Sequence, residues 1–140
     1  MSRIQHLEPI IRDIIKVIPD SWYMKIQVNP MAHTKTTGDF LFLTDNFRYI
    51  IECKEQKTTS FPFSRLTQHN ALLEFHNASW ANIGLVVICF WKGTKKKSSF
   101  YLLDIVDMDI LIKNSTKKSV NEKDLIKFKV DLDQITYQFR

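Results

Sequence analysis

Apolar residues near the start of the chain fall at Ile10, Ile11, Ile14, Ile15 and Ile18, the i, i+3, i+4 spacing of a helix with one buried face. Pro9 suits the first turn of that helix and Pro19 ends it. From Trp22 to Val28 the period drops to two, with Trp22, Met24, Ile26 and Val28 alternating against Tyr23, Lys25 and Gln27, which predicts a strand. Between Asp39 and Lys54 two apolar runs, Phe40 to Leu43 and Tyr49 to Ile51, flank Thr44-Asp45-Asn46. Asp and Asn tolerate the positive φ of a tight turn, so this stretch predicts a hairpin.

A polar loop over Thr58 to Pro62 separates the hairpin from a second helical pattern. Over Thr67 to Asn82, Ala71, Leu72, Phe75, Ala78 and Ser79 share one side, and Gly84 stands where a C-cap is expected. Ile83 to Trp91 is continuously apolar, as in a strand covered on both faces, and Phe100 to Val106 predicts another. Toward the end, Asp107 is placed to cap a short helix, Ser119 and Glu122 fit the ends of a capping box, and the last ten residues suit either strand or helix. Helix, three strands, helix, two strands predicts an α/β fold. The expectation is a central mixed five-stranded sheet flanked by helices, in the order αβββαβ with a C-terminal extension, in one domain over 1–140.

A length of 140 residues allows one core, and 44% hydrophobic and 25% charged residues with only three glycines and four prolines are those of an ordinary globular domain. No apolar run approaches the ~20 residues needed to cross a bilayer, so no membrane partner and a cytoplasmic location are expected, nucleoid-associated or in the cytoplasm of a host. Cys53 and Cys89 lie in apolar runs and predict buried, reduced thiols rather than a disulfide or zinc site. The net charge of +5 is unevenly spread, with Lys92, Lys95, Lys96 and Lys97 close together and Lys113, Lys117, Lys118, Lys123, Lys127 and Lys129 following. Such a surface attracts polyanions, although Lys95 to Lys97 alone also suit a solvated turn. The chain has no glycine-rich phosphate loop, no Cys or His ligand pairs and no Gly-x-Ser-x-Gly elbow, so phosphate chemistry would rest on carboxylates and a metal.

With Asp45 and Asn46 at the centre of the turn, antiparallel partners have numbers summing to 91, and Asp39 faces Glu52. Opposed Cβ atoms lie about 4.5–5.5 Å apart, where two like charges destabilise unless something positive intervenes. A divalent cation fits. Alternation puts Lys54 on the face of Glu52 and points Cys53 away, leaving its carbonyl near the same place. Oxygen ligands hold Mg²⁺ while leaving waters on it, so Asp39 and Glu52 are expected to bind Mg²⁺, with Mn²⁺ able to substitute, and Lys54 to orient or help deprotonate water for phosphodiester hydrolysis. Singly, Asp39 also suits a cap of the hairpin, and Glu52 and Lys54 suit polar residues at a strand exit. Their joint placement on one face of an otherwise apolar hairpin favours chemistry, because buried strand centres rarely accept unpaired charge.

Gly38-Asp39, followed after a spacer by Ile50-Ile51-Glu52-Cys53-Lys54, resembles the PD-(D/E)XK nuclease motif. Thr59-Ser60-Phe61-Pro62-Phe63, leading into a helix with Gln68 and His69, resembles RecU-type Holliday junction resolvases over roughly Gly38 to Val87. The resemblance implies a restriction-endonuclease-like core, metal ligation by Asp39 and Glu52 and a water-assisting role for Lys54. It matches Gln68 to a group that orients the catalytic residues, against the alternative of an exposed helix position. A first-helix glutamate often joins the metal in that family, and Glu8 is the nearest candidate, although an acid at a helix N-terminus is also favourable in its own right. The order Gln68-His69-Asn70 departs from the His-then-Gln of the resolvases, and the short segment between Val28 and Gly38 leaves no room for their long stalk.

The expected function is a Mg²⁺-dependent endonuclease on branched or structured DNA, as in a homodimeric Holliday junction resolvase acting on four-way junctions. The alternatives are a less specific repair, phage or restriction-type nuclease, or a non-cleaving DNA-binding module of the same fold. Expected nucleic-acid contacts are Lys35, Thr58, Thr59, Ser60, Phe61, Arg65 and the Lys95, Lys96 and Lys97 turn, with Phe61 stacking on an opened base.

Overall fold

A computed structural model describes residues 5–27 and 37–139; Val28 and Lys35 lie outside them. The elements in chain order are α1 (Leu7–Ile15), β1 (Trp22–Lys25), β2 (Phe40–Leu43), β3 (Arg48–Gln56), β4 (Ser60–Pro62), α2 (His69–Asn77), β5 (Asn82–Phe90), β6 (Ser99–Asp104), α3 (Ile105–Asn114), β7 (Ser119–Asn121) and β8 (Lys129–Val130). The central mixed sheet has six strands, in the order β1-β2-β3-β5-β6-β8, and β4 pairs with β7 in a separate ribbon. One strand more than expected thus joins the sheet, the short edge strand β8 paired with Phe100 and Tyr101.

Parallel strands β3 and β5 form the centre, and α2 makes the crossover between them. The unbroken apolar run of β5 is explained by two cores. Leu85, Val87 and Cys89 face one core with Leu7, Ile11 and Ile15 of α1; Val86, Ile88 and Phe90 face the other, beneath α2 and α3 with Leu72, Ile105 and Met108. The periodic stripe at the start of the chain forms α1 as expected. His6 supplies no side-chain cap; instead Glu55 of β3 accepts from the backbone N–H groups of His6 (2.8 Å) and Leu7 (2.9 Å), satisfying donors that the first turn leaves free. The His6 ring bonds the same carboxylate at 2.9 Å and stacks on Trp91 at 3.9 Å, so the start of α1 is clamped to the ends of β3 and β5.

Several local expectations give way to longer-range contacts. Trp22 and Met24 lie on the exposed side of β1, 53% and 42% accessible, while Tyr23 packs edge-on against Phe40; the helices leave that half of the other sheet face bare. The second helix is shorter than its pattern, and Gly84 lies within β5 rather than at a C-cap: a Cβ there would stand 2.9 Å from the Leu72 carbonyl, so its absence lets α2 pack closely. The Phe100 strand ends at Asp104, whose carboxylate accepts from the Asp107 N–H; Asp104 therefore caps α3, and Asp107 sits in its first turn. Ser119 belongs to β7, and Glu122 binds Tyr101 and Lys92, so the two form no capping box. The C-terminal segment is a 3-10 helix over Leu132–Gln138. Among the described residues, no helix is long and apolar enough to cross a membrane.

Candidate active site

The β2–β3 hairpin has the anticipated register: Phe40 pairs with Ile51 and Phe42 with Tyr49. One residue beyond the last paired position, Asp39 is held through its backbone from both sides, its N–H donating to the Ile51 carbonyl and its carbonyl accepting from the Ile26 N–H, each at 2.8 Å. Gly38 permits this approach, since a Cβ there would lie 2.6 Å from the Ile50 side chain. Asp39 Oδ2 accepts from the Cys53 N–H at 2.7 Å. In an extended strand a residue's N–H and C=O point to the same edge, so the Cys53 carbonyl also opens toward Asp39.

Glu52 is 2% accessible, hydrogen-bonded to Asp39, and its Oε2 is buried without a partner. Burial raises its carboxyl far above the ordinary range; the hydrogen bond to Asp39 and that residue's charge raise it further, and Lys54 pulls the other way. Without a cation, Glu52 is therefore protonated at neutral pH and can donate to Asp39. Half-buried Lys54 shares Glu52's face, toward α2. Gln68 immediately precedes α2, and its Oε1 is likewise buried and unpartnered. Burial pushes the Cys53 thiol well above its usual value and the Cys89 thiol up to about 12, so both are inert thiols, as their apolar surroundings predict.

Other expected site residues have partners or positions of their own. Glu8 is paired with Lys25 of β1. Among the described residues, no three His, Cys, Asp or Glu side chains converge as a metal cluster, so the side-chain ligands brought together are the two carboxylates. Thr58 and Thr59 are exposed, and Ser60 lies in β4 opposite Asn121. Phe61 is fully buried in the core beneath α2 and α3, so the expectation that it stacks on an opened base is overturned: pairing of β4 with β7 turns it inward. Arg65 bonds the Glu55 carbonyl at 2.8 Å and the Gln56 side chain, bracing the end of β3. Lys95 to Lys97 are exposed in the β5–β6 turn. Lys92, which opens that turn, is six residues past Val86, the strand partner of Glu52, hence ~20 Å along the sheet.

His69 and His76 do not share a ligand. His69 Nε2 meets Asp109 Oδ1 at 2.8 Å and His76 Nδ1 accepts from the Gly84 N–H. Lys113 holds the Asp109 carboxyl below its usual range, with His69 adding to the effect. Residues missed by sequence reasoning are Glu55 and His6, which fix α1, and Lys25, whose register position opposite Phe40 places it beside Asp39. The alternation of β1 marked Lys25 as polar, but nothing local pairs it with a helix residue 17 positions away.

No family model matches the chain, and no curated protein matches it. Among solved structures it is similar to Hjc of Archaeoglobus fulgidus, a Holliday junction resolvase from an archaeal hyperthermophile, with a TM-score of 0.60 over 92% of this chain and 98% of that one. The chain has a resolvase-like fold. Sequence identity over the match is 10%, so the likeness is one of architecture. A shared fold carries no function by itself, and the chemistry has to be argued from Asp39, Glu52 and Lys54.

Proposed function

We propose that the protein is a metal-dependent endonuclease that hydrolyses phosphodiester bonds in branched DNA, such as four-way junctions. The observation that carries this reading is the Asp39–Glu52 pair, two carboxyl groups facing across the hairpin with Glu52 Oε2 buried and unpartnered. An orphaned acceptor beside a second carboxylate fits a hard divalent cation, and Mg²⁺ is commonly held by one or two carboxylates with the rest of its shell water. Bound there, Mg²⁺ or Mn²⁺ would supply charge to polarise the phosphate and acidify a water.

In this reading Asp39, Glu52 and the Cys53 carbonyl hold the ion. An ion held there would require Glu52 as a carboxylate, so its binding would be coupled to release of the proton Glu52 carries in its absence. Lys54, on the Glu52 face, donates to the attacking water and keeps it in line. Gln68 Oε1, an acceptor at the start of α2, orients Lys54 or that water. Exposed Thr58, Thr59 and the Lys95 to Lys97 turn meet phosphates without reading bases. A two-fold homodimer in the cytoplasm would supply the paired cuts a junction needs.

The test is cleavage of a synthetic four-way junction, linear duplex and single strand, each with Mg²⁺ and with EDTA. The proposal expects Mg²⁺-dependent cuts with the junction preferred. Equal cutting of junction and duplex would replace junction resolution by a less specific nuclease; binding without cutting in Mg²⁺ or Mn²⁺ would leave a DNA-binding module.

A further inference from the structure

A hollow of about 860 Å³ lies at the edge of the sheet, where β8 and the 3-10 helix after it meet the β5–β6 turn. Phe100, Val130 and Leu132 give it an apolar wall continuous with the core beneath α1, and Lys95, Lys96 and Lys129 line it as well. Asp131 and Asp133 border the same space, yet among the described residues none of the three lysines has an ion-pair partner. Asp131 Oδ1 instead accepts from the Asp133 N–H at 3.0 Å and caps the 3-10 helix. The lysine turn is braced from within. Ser98 Oγ accepts from the Lys92 N–H at 2.9 Å and donates to the Thr94 carbonyl at 2.6 Å, and Thr94 Oγ1 accepts from the Lys97 N–H at 3.3 Å.

We propose that this hollow takes an unpaired nucleotide of the DNA, with phosphates on Lys95, Lys96 and Lys129 and the base against Phe100, Val130 and Leu132; this rests on the DNA substrate proposed above. The lining calls for an anion with a flat apolar body and N–H donors at its edge, and a nucleotide combines all three. Ammonium groups without carboxylate partners meet phosphate oxygens, the apolar wall covers a base face whatever its identity, and the Asp133 carboxylate accepts from the N–H groups at a base edge. An acidic peptide would satisfy the lysines and leave the apolar wall uncovered. The volume is that of a small-ligand site, so it admits a nucleotide or two but not a double helix. Phe100 pairs with Cys89, and Cys89 with Glu55, three residues past Glu52; the wall is thus ~10 Å along and ~10 Å across the sheet from Glu52. Phe100 faces the core beneath α1, whereas Val86, the strand partner of Glu52, faces the other core. A strand leaving the active site therefore has to turn around the end of the sheet to reach the hollow, which an unpaired strand can do and a stiff duplex cannot.

Binding is measured in EDTA, where no cleavage occurs, by fluorescence anisotropy with labelled hexathymidylate, linear duplex and four-way junction. Lys129→Gln, with folding checked by circular dichroism, should weaken hexathymidylate binding at least about fivefold and change duplex affinity less than about twofold. Its plot of log K against log salt for hexathymidylate should flatten by about 0.7, the value for one single-strand phosphate. On the natural protein, hexathymidylate carrying one iododeoxyuridine should photocrosslink within residues 95–100 or 129–133, a readout that needs no variant to fold. Crosslinks confined to other segments overturn the proposal. Equal losses for hexathymidylate and duplex, or hexaglutamate binding as tightly as hexathymidylate, would make the hollow a general anion patch and overturn it too. Binding of duplex and junction without hexathymidylate overturns the hollow and leaves the endonuclease reading standing. Absence of binding to every DNA would instead overturn the DNA reading itself.

Discussion

Replacing Glu52 by Gln isolates the electrostatic cost built into the metal-free site. The variant keeps side-chain volume and a donor for Asp39 but cannot ionise. In the folded protein the Glu52 carboxyl is raised to about 9 from an ordinary value of 4.5, chiefly by burial. Because the folded value lies above the unfolded one, this group's contribution to stability is intact below pH 4.5 and declines as pH rises toward the folded value. At neutral pH the unfolded carboxyl has ionised and the folded one has not. Over the 2.5 pH units between 4.5 and 7, at about 1.4 kcal/mol each, the loss is at most about 3.5 kcal/mol. Glu52→Gln should therefore stabilise the metal-free protein by up to that amount at pH 7, a rise in Tm of up to about 10 °C for a chain of this size, and have almost no effect at pH 4. Thermal unfolding in EDTA from pH 4 to 8, followed by circular dichroism, measures this. Mg²⁺ should raise the Tm of the natural protein, increasingly so at higher pH, and leave Glu52→Gln unmoved. Equal pH slopes for the two proteins in EDTA would refute the buried-carboxyl argument, and a Mg²⁺-induced Tm rise in Glu52→Gln would refute its role as ligand.

Lys54→Ala should slow cleavage by about 10²-fold or more while Mn²⁺ affinity measured by calorimetry stays nearly unchanged, as for a group that acts on the water. Lost metal affinity would instead make Lys54 part of the binding site. Phe61→Ala should destabilise the fold by about 3–5 kcal/mol in urea denaturation, as for a fully buried aromatic, and leave the ratio of junction to duplex binding unchanged. A normal stability with an altered ratio would return Phe61 to the DNA surface. Replacing Lys95, Lys96 and Lys97 together by Gln should weaken DNA binding and flatten the dependence of log K on log salt by about 0.9 for each phosphate no longer neutralised. An unchanged slope makes the turn a solvated loop.

The Asp39–Glu52 constellation was legible in the chain because every step toward it is local. Two apolar runs define two short strands, Asp45-Asn46 joins them, and a hairpin with a defined turn has one register, so Asp39, Glu52 and the face of Lys54 follow. The same holds for the α1 stripe and for β5, whose unbroken apolar run announces burial on both faces. What alternation does not contain is which face a neighbour will cover. In β1 the apolar Trp22 and Met24 are left exposed, because α1 packs on the Tyr23 side of that edge and the other helices stop short of it. Phe61 looked like a loop aromatic because its partner strand, Ser119–Asn121, lies far along the chain, and pairing at that separation has no local signal. Alternation puts Glu55, three residues after Glu52, on the opposite face of β3, but nothing local shows that it caps α1; it does so because helix and strand ends meet there. Lys25 and Glu8 belong to the same class: each side chain was visible as a charge, but their pairing depends on where α1 docks beside the sheet, and that docking is settled by packing summed over the whole core.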